Sequence, residues 1–271
     1  MMNKRPAFRF VSCLPRSGST LLCNILAQNP RHHSTQTSGC LDVLFGARNH
    51  WETLIEHKAH PVPDKKINVL RSILYAYYQD VDKDIIFDKS RGWMAYLEMV
   101  ESLLQEKAKL LVCIRPIPDI LSSIEKLNRK TAKVKQPPGE AKNYFQFQSQ
   151  EGRCEYWLSK EQLIGIAYTR IMDAIDRGYK DRMHFIQYHD LTYNPKQTMQ
   201  KVYEFLEEPY YEHDFDNVEQ VTFEDDSLHG YVDLHTIQPK VVYRPSDAAD
   251  IIGQRLVEKY SKLNFDMSRL R

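Results

Sequence analysis

The chain has no excess of either charge: 37 Lys and Arg stand against 36 Asp and Glu, a formal net charge of +1 over 271 residues. So even a balance gives no long-range field for nucleic acid or an anionic membrane, and any anion site has to be built locally. The basic stretch 126–142 is short and matches no nucleic-acid module. No run approaches the roughly 20 apolar residues of a membrane span. The N-terminal residues pass straight into Phe8-Arg9-Phe10-Val11 without the apolar core of a signal peptide. Cysteine is scarce and odd in number: Cys13, Cys23, Cys40, Cys113 and Cys154 form no C-x-x-C pair, and several lie in apolar runs where thiols act as small hydrophobes. That argues against a disulfide framework and for a reducing, cytoplasmic setting. There is no H-E-x-x-H, and the adjacent pair His32-His33 cannot chelate as an i, i+4 pair would, so no metal is expected.

What is present is an alternation of short apolar runs and amphipathic stretches. Phe8 to Leu14, Asp84 to Asp88, Lys109 to Ile114 and His184 to Tyr188 read as strands. Leu21 to Gln28, Met94 to Lys107, Pro118 to Leu127, Leu163 to Arg177, Pro195 to Leu206 and Ala248 to Leu263 read as helices. Such a succession predicts an α/β fold, a three-layer parallel sheet flanked by helices with right-handed crossovers. The length suits a single domain over 1–271. Residues 129–160 begin with a polar tract carrying Pro137-Pro138-Gly139 and are expected to form a lid or substrate loop; 207–245 are acidic, rich in His and Tyr, and irregular.

The first strand runs into Pro15-Arg16-Ser17-Gly18-Ser19-Thr20-Leu21-Leu22. A tight loop between a strand and a helix turns backbone N–H groups and a helix N-terminus toward an anion. Gly18 allows close approach, while Ser17, Ser19 and Thr20 add hydroxyl donors. Against the nucleoside-triphosphate loop G-x-x-x-x-G-K-[ST], Gly18 and Thr20 fit, but Ser19 stands in the lysine slot and Cys13 in the first glycine slot. The cation has moved to Arg16.

This loop closely resembles the 5′-phosphosulfate loop of the PAPS-dependent sulfotransferase superfamily, P-[KR]-[ST]-G-[TS]-[TS]. The resemblance implies a P-loop-type fold and transfer of a sulfuryl group from 3′-phosphoadenosine 5′-phosphosulfate (PAPS), which leaves as 3′-phosphoadenosine 5′-phosphate (PAP). The acceptor would be a hydroxyl or amine on a carbohydrate, phenol, peptide or other small molecule. It further implies that Arg115 at a strand end and Ser123, eight residues on, bind the 3′-phosphate, through a guanidinium fork and a hydroxyl. Gln187-Tyr188-His189-Asp190-Leu191 resembles the family segment whose tyrosine lies near the nucleotide. Lys240 or Arg244, in a C-terminal segment, could add a phosphate contact.

Sulfuryl transfer requires in-line geometry and stabilisation of developing charge. Arg16 is the candidate for the leaving phosphate and Lys89, just after a strand, for the sulfuryl group. The family's glutamate base, roughly twenty residues past the loop cation, has no counterpart here, because that window reads Gln36-Thr37-Ser38-Gly39. His33, Asp42, Glu52 and His235 are the alternatives, with His33 favoured because it follows the first helix and titrates near neutrality. A small-molecule kinase is opposed by Ser19, whereas a non-catalytic protein that binds 3′-phosphoadenosine nucleotides is compatible with the missing glutamate.

Overall fold

The computed structural model describes residues 5–270. The chain runs β1 (Ala7–Val11), α1 (Ser19–Leu26), β2 (His32–Thr37), α2 (Cys40–Thr53), α3 (Ile55–Ala59), α4 (Pro63–Tyr77) and β3 (Ile85–Lys89). A short 3-10 turn, Trp93–Tyr96, leads to α5 (Leu97–Leu104), β4 (Leu110–Ile114), α6 (Ile117–Ala132), α7 (Tyr144–Phe147), α8 (Gln150–Leu158) and α9 (Leu163–Asp176). Then come β5 (Met183–Gln187), α10 (Tyr188–Tyr193), α11 (Pro195–Leu206), an irregular strap, α12 (Ala248–Ile252), α13 (Gln254–Ser261) and α14 (Met267–Leu270).

The strands form one parallel sheet in the order β2-β3-β1-β4-β5. β3 and β4 flank β1 and are buried along their whole length. Strands covered on both faces read as continuous apolar runs, and Leu-Leu-Val-Cys-Ile of β4 does so. Successive residues serve opposite layers. Leu110 and Val112 pack with Phe8, Phe10, Trp93 and Trp157, while Leu111 and Cys113 pack with Val11, Ile25 and Tyr203 of α11. This is the three-layer α/β sandwich the alternation predicted. From β1 the chain builds the sheet on both sides, and ligands of open α/β sheets bind where the strand order reverses, beyond the carboxyl ends.

Several elements differ from the sequence reading. β2 was not anticipated: His-His-Ser-Thr-Gln-Thr is polar, and it holds its place as an edge strand by pairing with β3. Residues 31–83, which carried no predicted element, also contain α2 to α4. The expected helix from Met94 is a 3-10 turn followed by α5, stopped at Gln105 by a left-handed φ of 59°. The final helix breaks at Gly253, with φ 82° and ψ 147°, into α12 and α13. The expected lid is largely helical, since α6 reaches Ala132 and α7 and α8 follow. Buried Glu125 of α6 anchors that segment by accepting from Arg153 of α8 at 2.6 and 2.9 Å.

The strap 207–247 is irregular as predicted, yet it is pinned. Buried Asn24 of α1 accepts from the backbone N–H of Val221 (2.6 Å) and Thr222 (3.1 Å) and donates to the Thr222 hydroxyl (2.8 Å). Val218 N–H to Pro239 and Val241 N–H to Phe215 draw the strap into a loop across the carboxyl edge of the sheet. No helix among the described residues is long and apolar enough to cross a membrane, and all five thiols are free and buried.

Candidate functional site

β1 ends before Pro15, and the backbone turns sharply. Arg16 takes a left-handed φ of 57° and Gly18 one of 91°. A Cβ on Gly18 would lie 2.8 Å from the Tyr188 ring, so close ring packing as well as backbone conformation requires glycine here. α1 starts at the next residue, with Ser19 and Thr20 in its first turn facing a cavity of about 480 Å³.

That cavity brings together Arg16, Gly18, Ser19, Thr20, Lys89, Arg115, Tyr188, His235 and Lys240 from points scattered along the chain. Arg115 follows β4 and lies over the Tyr188 ring, 4.3 Å from guanidinium to centroid. It donates to the Arg16 carbonyl at 3.2 Å, while its Nε is buried without a hydrogen-bond partner. The Arg16 Nε donates to Ser123 Oγ at 3.1 Å, and a second Arg16 nitrogen donates to the Leu234 carbonyl of the strap. Burial and the adjacent Arg115 cation both lower the Arg16 pKa from its ordinary value. Two guanidiniums held side by side oppose one another unless an anion joins them.

Two predicted donors stand differently. Ser17 is fully buried and points away from the cavity, its hydroxyl 2.6 Å from the Leu14 carbonyl and 2.9 Å from that of Cys113. It ties the loop to β4 and offers a ligand only its backbone. Ser123 lies behind the Arg16 guanidinium rather than on the cavity wall. Lys240 lines the cavity but reaches outward to Asp216 at 2.7 Å.

Of the four candidates for the base, the structure brings only His235 to the cavity. His33 lies back along β2, level with Ile86, where its ring meets Tyr78 edge-on and Asp80 and Lys83 are its charged neighbours. The reason for favouring it fails, because the residues after α1 run along the sheet edge before they reach the site. Asp42 is exposed on α2, and Glu52 is an exposed partner of Lys66. His235 Nδ1 is 2.6 Å from Asp226 Oδ1, and its backbone N–H donates to the same carboxylate at 3.0 Å. With Nδ1–H committed to Asp226, Nε2 is left as the acceptor. Burial lowers the His235 pKa below the ordinary 6.5, a shift that the Asp226 hydrogen bond opposes.

Sequence reasoning missed Glu224. Its carboxylate meets Lys89 Nζ at 3.0 Å, the Thr37 N–H at 2.8 Å and the Thr37 hydroxyl at 2.9 Å. Burial pushes its pKa up, but Lys89 and these donors win and hold it at about 2. The window that lacked a glutamate thus receives one from the far end of the chain. The close run Glu224, Asp226, His229 and His235 was the available signal, in a stretch without periodicity. Glu224, His229 and His235 also offer three donor atoms within 4.8 Å of one another, the one such group of three among the described residues. Lys89 takes Oε1 of that carboxylate, while Oε2 faces His229 Nε2 at 3.2 Å and His235 Nδ1 at 3.6 Å.

The structure thus combines a parallel α/β sheet, a tight loop leading from β1 into α1, two converging arginines and no lysine in the triphosphate slot. Residues 9–212 match the sulfotransferase family, and the chain belongs to that family. Mouse sulfotransferase SULT7A1, solved in complex with PAP, is 12% identical over 98% of this chain and 88% of its own, with a TM-score of 0.55. The sulfotransferase domain of the Synechococcus PCC 7002 olefin synthase is 16% identical over 98% of both chains, with a TM-score of 0.49. No curated protein matches the chain significantly.

Proposed function

We propose that the protein transfers the sulfuryl group of PAPS to a hydroxyl or amine of a small-molecule, carbohydrate or peptide acceptor. The observation that carries this reading is the convergence of Arg16, the Gly18 loop, Arg115, Tyr188 and Lys89 on one cavity. In this reading the 3′-phosphate is held by Arg115, whose Nε makes no hydrogen bond and lies 3.9 Å from the Asp119 carboxylate, and by Ser123 once Arg16 turns from it to the 5′-phosphate. Lys89, oriented by Glu224, faces the sulfuryl oxygens.

The acceptor oxygen or nitrogen attacks sulfur as the bond from sulfur to the bridging phosphate oxygen breaks. The acceptor proton passes to His235 Nε2, and PAP leaves with its new charge matched by Arg16 and the loop N–H groups. Asp226 fixes the tautomer and steadies the imidazolium. Glu224 is too acidic to be an efficient base near neutrality and instead positions Lys89.

Calorimetric titration with PAP, and with ADP and ATP in the presence of Mg²⁺, tests the donor. The expected result is metal-independent preference for PAP, weakened at least about tenfold by Arg115→Ala. Preference for Mg-ATP, or indifference to all three, refutes the reading.

A further inference from the structure

Three cations on the cavity wall are not used by the donor reading: Lys240 pairs with Asp216, Arg244 donates to Gln238, and Arg91 has neither kind of partner among the described residues. Arg91 follows β3 by two residues, lines the cavity and is exposed there, and the surrounding protein together with the Arg170 cation lowers its pKa. Its guanidinium has no hydrogen-bond or ion-pair partner among the described residues. Glu224, whose charge reaches it, is taken by Lys89 and Thr37.

A second arginine adds to this. Arg170 lies on α9, seven residues from Leu163, which lines the cavity, and seven from Arg177, which donates to the Met94 carbonyl at 2.8 Å. Seven residues is close to two helical turns, so all three share the face of α9 turned toward the segment after β3. Arg170 also lacks a partner among the described residues and is near enough to disfavour the charge on Arg91. Asp173, the nearby carboxylate on α9, is engaged by Arg177 at 2.9 Å.

Arg91 is exposed on the cavity wall with a second cation, Arg170, acting on it from behind that wall, and an anion bound to Arg91 would offset the repulsion between them. The sheet order decides which anion. Arg115 follows β4 and Arg91 follows β3, on opposite sides of β1. Three adjacent strands put the two edges roughly 10 Å apart, too far for one phosphate. The nucleotide belongs to the β4 side, so the β3 side remains for the acceptor.

We propose that Arg91, supported by Arg170, is an anion-recognising subsite for the acceptor: the preferred substrate carries a carboxylate, phosphate or sulfate group besides the hydroxyl or amine that is sulfated. This rests on the donor reading above. The experiment is a calorimetric titration of PAP-saturated protein with 4-hydroxybenzoate and with its neutral analogue 4-hydroxybenzamide, in wild type, Arg91→Gln and Arg91→Lys. The acid should bind at least about tenfold more tightly than the amide, the worth of one charge-assisted pair. Arg91→Gln should erase the gap and Arg91→Lys should retain part of it, while PAP affinity stays within about twofold and Tm does not fall.

Equal or weaker binding of the acid, or no binding of either compound, overturns the inference and leaves the donor reading intact. A tenfold loss of PAP affinity in Arg91→Gln would place Arg91 in the donor site and overturn it too. A Tm lowered by about 5 °C or more would mark Arg91 as structural, with the same consequence. Failure of wild type to bind PAP would remove the donor reading and the subsite with it.

Discussion

Asp88 shows how one buried side chain sets the position of its reactive neighbour. It accepts from the Trp93 indole at 2.8 Å, the Ser38 hydroxyl at 2.9 Å and the Tyr78 hydroxyl. These contacts fix the end of β3, and with it Lys89. Asp88→Ala takes the acceptor from three buried donors, of which one of the Ser38 and Tyr78 hydroxyls can still donate to the other, and should cost about 2 kcal/mol or more, read as a lower midpoint of chemical denaturation. His235 is a different kind of residue, since its proposed role is chemical. Burial keeps its pKa below 6.5, so kcat/KM should be flat above that pH and fall as pH drops through the lowered value. His235→Gln should reduce kcat by about a hundredfold or more and remove that acid limb, with PAP affinity unchanged. A pH profile that keeps its acid limb in the variant would exclude His235 as the base.

At the scale of elements, legibility followed periodicity. β1, β3 and β4 were readable because strands buried on two faces are spelled by their apolar residues, and the loop from Pro15 to Thr20 because a strand-to-helix turn needs particular residues in order. Arg115 and Tyr188 followed, each at the end of a recognisable strand. β2 was not readable: nothing in His-His-Ser-Thr-Gln-Thr favours an edge strand except the partner it finds in β3. The same holds for the strap, whose position is set by Asn24 from almost two hundred residues away in sequence, so Glu224 and the Asp226–His235 pair could not be placed beforehand. Asn24→Ala removes those bonds and should destabilise by about 2 kcal/mol, with a larger loss of kcat than of PAP affinity because the strap carries the proposed base. Gly253 isolates backbone conformation from packing. A Cβ there would meet nothing within 4 Å, yet its φ and ψ are costly for any other residue, so Gly253→Ala should lose about 1–3 kcal/mol and leave PAP binding unaltered.

For the whole molecule, acid is the expected weakness. His32, His184 and His213 are held neutral by burial, each with its pKa lowered to about 4. Unfolding lets them take up protons near the ordinary 6.5, so the unfolded chain binds more protons and stability falls as pH drops from about 6.5 toward 4. Glu224, at about 2 against an ordinary 4.5, extends the loss to lower pH. Melting temperatures recorded from pH 8 to pH 4.5 should decline below pH 6.5, and a flat profile would contradict this account. The five buried thiols divide between the two sides of the sheet: Cys40 and Cys154 in one apolar layer, Cys13, Cys23 and Cys113 in the other. Cys13 lines the cavity, but an alkylating reagent can modify the other four only when the layer that shelters them opens, so the native chain carries its own clock for breathing motions on each side. One labelling rate for these four would mean that the layers part as a unit; two rates would show which half of the sandwich gives way first.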